Sequence, residues 1–164
     1  MKAVSPQNDN LERLNVLLTD GGQPWAEHLP RLLEPQGVRA IRVSSVNEAV
    51  EAMEEEPIHA AVVDLALPMS PGASNRTSRI TPCDPNRLPD GMRLVQLMKR
   101  LDPAPPAVIV RGRFFDRRSD DRLLAEALKL DVFSVLDRPV ELEMMLDVLR
   151  RLLDRFYGGH WPAS

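Results

Sequence analysis

The sequence predicts an α/β domain built on a doubly wound, five-stranded parallel sheet. Five short apolar runs alternate with five segments that are read as amphipathic helices from the spacing of their apolar residues. Two of the apolar runs, residues 60–63 and 107–110, contain only alanine, valine and isoleucine. Such runs are typical of strands that are covered on both faces. Regular alternation of strands and helices favours a parallel sheet with helices on both sides.

The composition fits a single water-soluble domain. A chain of 164 residues is long enough for a sizeable core, and 43% of its residues are hydrophobic. The formal net charge of −3 gives no reason to expect a nucleic-acid partner. No apolar run approaches the roughly 18 residues that a membrane helix needs. The first ten residues lack the apolar segment of a signal peptide, so we expect a cytoplasmic protein with no membrane partner.

The first predicted strand ends in a polar turn, and the first predicted helix contains a proline. Residues 14–18 predict strand 1, which ends at Thr19 and Asp20. Residues 24–34 predict helix 1, and Pro30 within it predicts a kink or a late start. The apolar positions of this helix are Trp25, Leu29, Leu32 and Leu33.

The second strand and helix are joined by two serines. Val38–Val43 predicts strand 2, in which two arginines are tolerated because the strand lies at or near an edge. Val46–Glu55 predicts helix 2, with either Ser44 or Ser45 as its N-cap. Glu48 lies three residues after Ser45, which is the spacing of a capping box.

Asp64 lies at the carboxyl end of the third strand. The strand begins at residue 60, and Pro68 marks a point where it has stopped, because proline cannot donate to a ladder. Ligands of open parallel sheets bind outside the carboxyl ends of the strands. Asp64 is therefore a candidate site residue, with a plain turn or capping role as the alternative.

The remaining chain completes the alternation and sets the predicted boundaries. Helix 3 begins at Asp90 and Gly91, and the later elements are strand 4 (107–110), helix 4 (119–130), strand 5 (132–136) and helix 5 (140–156). The predicted organisation is a flexible lead (1–12), a domain (13–156) with a long inserted loop (69–89), and a tail (157–164).

One rim of the sheet collects the polar candidates. Right-handed crossovers and the common strand order 2-1-3-4-5 bring the carboxyl ends of strands 1, 3, 4 and 5 together. The side chains delivered there are Thr19, Asp20, Asp64, Arg111 and Arg138.

These motifs make residues 14–155 resemble the receiver domain of response regulators in two-component signalling, a flavodoxin-like fold. The matching segments are Thr19-Asp20 after strand 1, Asp64 to Pro68 after strand 3, Pro89-Asp90-Gly91 before helix 3, and Asp137-Arg138-Pro139 after strand 5. The resemblance implies that Asp64 is a phosphoacceptor for a histidine kinase. It also implies that Asp20, Asp64 and the backbone carbonyl of Ala66 would hold Mg²⁺.

The chain departs from the receiver pattern in ways that point to an atypical or pseudo-receiver. One of the two acids after strand 1 is replaced by Thr19, so we expect Mg²⁺ to bind weakly or not at all. Arg111 stands where the family has a serine or threonine, and Arg138 stands where it has a lysine. The aromatic switch position falls at Val135, so the usual coupling between that hydroxyl and an aromatic ring cannot operate.

Two roles are open for the arginines. Arg111 and Arg138 could hold a phosphoryl group on Asp64, or they could form permanent ion pairs with Asp64 and Asp20 in place of metal and phosphate. We favour the second role, and with it a stand-alone module that acts through protein–protein contacts. The alternative is a functional response regulator that a histidine kinase phosphorylates on Asp64 in a reaction that needs Mg²⁺.

Partner and enzyme expectations follow from the same resemblance. The partners would be a histidine kinase or another signalling protein, and a homodimer could form through helix 4, strand 5 and helix 5 (119–156). An enzyme on this fold is disfavoured because the sequence has no glycine-rich phosphate loop and no nucleophile–base pair.

Overall fold

The structure, a computed structural model, describes residues 14–19, 24–70, 89–101, 103–112 and 117–157. Its centre is a five-stranded sheet in the order β2-β1-β3-β4-β5, and every adjacent pair is parallel. The strands are β1 (Leu14–Thr19), β2 (Val38–Val43), β3 (Ala60–Asp64), β4 (Ala107–Arg111) and β5 (Ser134–Asp137). The predicted fold class and strand order are confirmed.

Helices cover both faces of the sheet. They are α1 (Pro24–Leu33), α2 (Val46–Glu55), α3 (Asp90–Met98), α4 (Arg117–Lys129) and α5 (Leu142–Tyr157). Residues of α1 and α5 share one apolar cluster with the sheet, and residues of α2, α3 and α4 share the other. In the part of the chain that the structure describes, no helix is long and apolar enough to cross a membrane.

The central strand β3 is buried on both faces because its side chains alternate between the two clusters. Ala60 and Val62 lie in the cluster of α1 and α5, whereas Ala61 and Val63 lie in the opposite cluster. All four are completely buried. The apolar run therefore places Asp64, which ends the strand, at the edge of the most enclosed part of the molecule.

Helix α1 continues through Pro30 and ends at Leu33. Of the apolar positions in this helix, Leu29 and Leu33 are buried, whereas 42% of Leu32 is exposed. Leu32 and Leu33 are adjacent in sequence, so their side chains point in different directions around the helix, and only Leu33 is buried.

Ser45 is the N-cap of α2, which settles the choice between the two serines. Its hydroxyl oxygen accepts from the Glu48 backbone N–H at 3.1 Å. The Glu48 carboxylate accepts from the backbone N–H and the hydroxyl of Ser44, at 3.1 and 2.8 Å. The reciprocal contact of the predicted capping box thus falls one residue earlier than in the standard motif.

The predicted start of strand 5 at residue 132 was wrong because α4 ends in a Schellman motif. Asp131 has a φ of 54°, and its N–H donates to the Leu128 carbonyl at 3.1 Å. The Val132 N–H donates to the Ala127 carbonyl at 3.2 Å. Val132 is therefore part of the end of the helix, and β5 begins at Ser134.

Three predicted segments lie wholly or largely outside the described residues: the lead over residues 1–12, most of the inserted loop over 69–89, and the tail after Tyr157. Asp20 also lies outside them.

Candidate functional site

Asp64 is the last residue of β3 and lies at the carboxyl edge of the sheet. Thr19 ends β1 and Arg111 ends β4, so the two neighbouring strands deliver polar residues to the same edge. Arg138 directly follows β5. Of the predicted rim, the structure therefore brings Thr19, Arg111 and Arg138 to the same edge as Asp64, while Asp20 lies outside the described residues.

The Asp64 carboxylate is buried, paired and hydrogen-bonded. Only 1% of its side chain is exposed, against 22% for Arg138. The guanidinium of Arg138 donates through Nη2 to Oδ2 of Asp64, and the backbone N–H of Ala66 donates to Oδ1 at 2.9 Å. A buried carboxylate remains charged at low free-energy cost only when it has such partners.

Thr19 ties β1 to the root of the site. Its side chain is completely buried, and its hydroxyl oxygen accepts from the backbone N–H of Asp64 at 2.7 Å. Thr19, for which the resemblance to receiver domains implied a missing acid, is therefore a structural bridge between two strands. The sequence did not predict this bridge.

Arg111 pairs with Asp137 in this structure. Its Nε lies 2.5 Å from Oδ1 of Asp137, which is its register partner on β5. The backbone also joins the two pairs, because the Arg138 N–H donates to the Arg111 carbonyl at 2.9 Å. Sequence reasoning did not name Asp137 as a partner, and the signal that could have found it is opposite charges at the ends of adjacent strands. The predicted ion pairs of the two arginines with Asp64 and Asp20 can be followed only at Asp64, because Asp20 lies outside the described residues.

Gly91 explains why α3 can approach the site so closely. A Cβ atom at this position would lie 2.6 Å from the Asp64 carbonyl oxygen and 2.7 Å from Cα of Leu65. Any larger residue would have to displace the backbone around Asp64 or the start of α3. The Asp-Gly motif was predicted as the helix start, and its glycine also has this packing role.

The loop that follows Asp64 is anchored on α2. The Leu67 N–H donates to the Asp64 carbonyl at 3.0 Å, which closes a turn directly after the strand. The N–H groups of Val46 and Asn47 then donate to the carbonyls of Pro68 and Met69, at 2.8 and 3.0 Å. These carbonyls satisfy the first backbone donors of the helix, so the site and the start of α2 are one connected unit.

The described residues do not by themselves fit a divalent cation. Mg²⁺ prefers several oxygen ligands in octahedral geometry, and within the described ranges no three acidic, histidine or cysteine side chains converge on a metal position. Oδ2 of Asp64 is paired with Arg138, and the Thr19 hydroxyl already accepts a backbone N–H. The predicted ligand Asp20 lies outside the described residues.

No family model matches the sequence, and no curated protein matches it significantly. Solved structures match it over most of their length. A response regulator receiver domain from Methanospirillum hungatei is 17% identical, with a TM-score of 0.65, covering 90% of this chain and 98% of that one. One from Methylobacillus flagellatus is 22% identical, with a TM-score of 0.57 and coverage of 85% and 98%. A signal receiver domain from Vibrio parahaemolyticus is 14% identical, with a TM-score of 0.63 and coverage of 90% and 95%.

These similarities establish the fold. The chain has the five-stranded parallel architecture of receiver domains, as the resemblance of its motifs predicted.

Proposed function

We propose that this protein is a receiver-like signalling module that acts through protein–protein contacts and has no phosphorylation cycle at Asp64. The observation that carries the proposal is the buried ion pair between Asp64 and Arg138. The pair gives the carboxylate a permanent counter-ion in the place where a phosphoacceptor would need a free oxygen and a metal ion.

The proposal follows from the chemistry of phosphoryl transfer. The attacking oxygen must reach phosphorus in line with the leaving group, and a divalent cation must neutralise the charge on the phosphoryl group. Both oxygens of Asp64 have donors in this structure, and the side chain is almost inaccessible to a phosphodonor. Thr19 supplies a hydroxyl already used as an acceptor where the family supplies an acid. Mg²⁺ is therefore not proposed as a cofactor.

The competing proposal is a functional response regulator phosphorylated on Asp64 by a histidine kinase in the presence of Mg²⁺. The observation in its favour is the position of Arg138. A guanidinium beside Asp64 could transfer its hydrogen bonds to the oxygens of an attached phosphoryl group.

Intact-mass spectrometry separates the two proposals. The wild type, Asp64→Asn and Arg138→Lys are incubated with Mg²⁺ and acetyl phosphate or phosphoramidate, beside a receiver domain that is known to react. We expect no phosphoryl adduct on the wild type. An adduct on the wild type that is absent from Asp64→Asn would establish the competing proposal. An adduct on Arg138→Lys alone would identify the arginine as the group that blocks the reaction.

The proposed contact surface is formed by α4, β5 and α5, where a second copy or another signalling protein, such as a histidine kinase, would bind. Leu128 of α4 supports this choice, because 81% of it is exposed. Sedimentation of Leu128→Glu should show weaker self-association than the wild type. Leu32→Glu on α1 is the matched control, because Leu32 is also an exposed leucine on a helix. Equal effects of the two changes would contradict the proposed surface.

A further inference from the structure

At the edge of the sheet opposite Asp64, three elements meet at His59, the residue before β3. The His59 backbone N–H donates to the Asn15 carbonyl at 2.8 Å, and the Asn15 backbone N–H donates to Nδ1 of the His59 ring at 2.9 Å. Tyr157, the last residue of α5, donates its hydroxyl to the His59 carbonyl at 2.7 Å. The rings of His59 and Tyr157 lie edge to face with centroids 5.6 Å apart.

The contact with Asn15 defines the protonation state of the ring. A backbone N–H can only donate, so Nδ1 must keep its lone pair and the neutral imidazole carries its proton on Nε2. A proton added to Nδ1 would set two N–H donors against each other. Burial of the ring acts in the same direction and lowers the pKa of His59 below its ordinary value of 6.5.

The charged groups on the surrounding elements do not compensate a protonated ring. Strand β1 carries no charged residue. Glu56, three residues before His59, is paired with Arg39 of β2 at 2.7 Å. Asp154 and Arg155, in the last turn of α5, are exposed to solvent. Within the described residues, none of these side chains forms an ion pair with His59.

We propose that His59 is a pH-sensitive latch that holds the C-terminal turn of α5 on the sheet and releases it when the imidazole is protonated. Protonation removes the bond from the Asn15 N–H. When the ring turns away, it also leaves its edge-to-face contact with Tyr157 and disturbs the carbonyl that accepts the tyrosine hydroxyl. The latch contribution is complete above pH 6.5 and is lost as the pH falls towards the lower value of the folded state, because the unfolded chain binds the proton more readily.

Hydrogen exchange and an NMR titration test the latch. Amide exchange of residues 153–157 is measured at about pH 7.5 and about pH 5.5, corrected for the intrinsic pH dependence of exchange, in the wild type and in His59→Asn. The asparagine Oδ1 can accept from the Asn15 N–H at the place of Nδ1, but it does not titrate. We expect wild-type protection to fall at the lower pH by at most about tenfold, because pH 5.5 lies one unit below the ordinary pKa of 6.5 that His59 has in the unfolded chain. His59→Asn should keep the same protection at both values.

Either of two results would overturn the latch: a His59 ring that titrates at or above pH 6.5, or equal wild-type protection at both pH values. Tyr157→Phe provides a second test that leaves the imidazole in place. This variant keeps the edge-to-face ring contact but loses the hydroxyl bond to the His59 carbonyl. Its last turn should be less protected than that of the wild type at about pH 7.5 and should still lose protection at about pH 5.5. Protection equal to that of the wild type at both pH values would contradict the proposal. Asp64→Asn should leave the latch unchanged. A failure of the latch proposal can therefore be distinguished from a failure of the proposed function.

Discussion

Asp64 is a carboxylate in an almost inaccessible position, and the residues around it account for its stability there. Arg138 neutralises its charge, and the Ala66 N–H satisfies its second oxygen. Removing one partner of a buried pair leaves an uncompensated charge, which is more costly than breaking a pair at the surface. The stability of the protein around Asp64 therefore depends on this ion pair and on the close approach of α3 at Gly91.

Arg138→Ala should lower the free energy of unfolding by about 3 kcal/mol, because Asp64 loses its counter-ion inside the protein. Arg151→Ala is the matched control. Arg151 pairs with Asp147 at 3.1 Å on the surface of α5, and its removal should change the free energy by less than about 1 kcal/mol. Urea unfolding at neutral pH measures both changes. Equal losses in the two variants would mean that the Asp64 pair is not a buried one in solution.

Gly91→Ala should lower the free energy of unfolding by about 2 kcal/mol, because the added methyl group meets the backbone of Asp64 and Leu65 rather than a flexible side chain. Urea unfolding gives the loss, and NMR amide shifts should change at both ends of the contact. A variant with unchanged stability and unchanged amide shifts at residue 64 would show that α3 does not approach β3 as closely as described.

At the scale of elements, the site depends on how helices begin and strands end. The start of α2 receives two carbonyls from the loop after Asp64 and one hydroxyl from Ser45. The end of α4 uses a left-handed Asp131, which sets where β5 can begin. In the register of β4 and β5, Arg111 lies opposite Asp137.

Ser45→Ala should lower the free energy of unfolding by about 1 kcal/mol, because the helix loses the acceptor for its Glu48 N–H. Ser44→Ala should have a smaller effect, since it removes only an exposed contact with the glutamate carboxylate. Thermal or urea unfolding of the two variants compares them directly. If Ser44→Ala proved the more destabilising change, Ser45 would not be the functional cap.

On the scale of the whole molecule, the two edges of the sheet have different chemistry. The carboxyl edge holds the ion pairs of Asp64 and Asp137. The opposite edge holds two neutral titratable groups, the His59 imidazole and the Tyr157 hydroxyl, which join α5 to the sheet. Changes of pH should therefore weaken or strengthen the attachment of α5 through His59 and Tyr157, at the edge opposite Asp64.

The raised pKa of Tyr157 predicts that the protein loses stability at alkaline pH. Burial raises its pKa above the ordinary value of 10.0, so the folded state retains the hydroxyl proton more strongly than the unfolded chain. This contribution is complete below pH 10 and is lost as the pH rises through the folded-state value. Tyr157→Phe should be less stable than the wild type at neutral pH, and the difference should shrink as the pH rises from about 9 to about 11. Urea unfolding across this range measures it, and a constant difference would contradict the pKa shift.

The sequence alone predicts the fold class and the position of Asp64, because both follow from patterns among neighbouring residues. It predicts the strand order only as the order that is common for this alternation of strands and helices. The run that ends at Asp64 is apolar at every position from residue 60 to residue 63, and its shortness and position between two helical segments favour a strand covered on both faces. The predicted rim of Thr19, Asp20, Asp64, Arg111 and Arg138 then follows from the topology.

Only the tertiary structure decided which partners these residues have. Arg138 contacts Asp64, Arg111 contacts Asp137, and Thr19 binds the backbone of Asp64. Each contact depends on strand register and on the direction of the side chain. A shift of the register by one residue would turn every side chain of a strand to the opposite face, and the periodicity of the sequence does not specify which partner each side chain meets. The His59 cluster joins residues 15, 59 and 157, and a hydrogen bond between such distant positions exists only when the packed helices and strands bring them together.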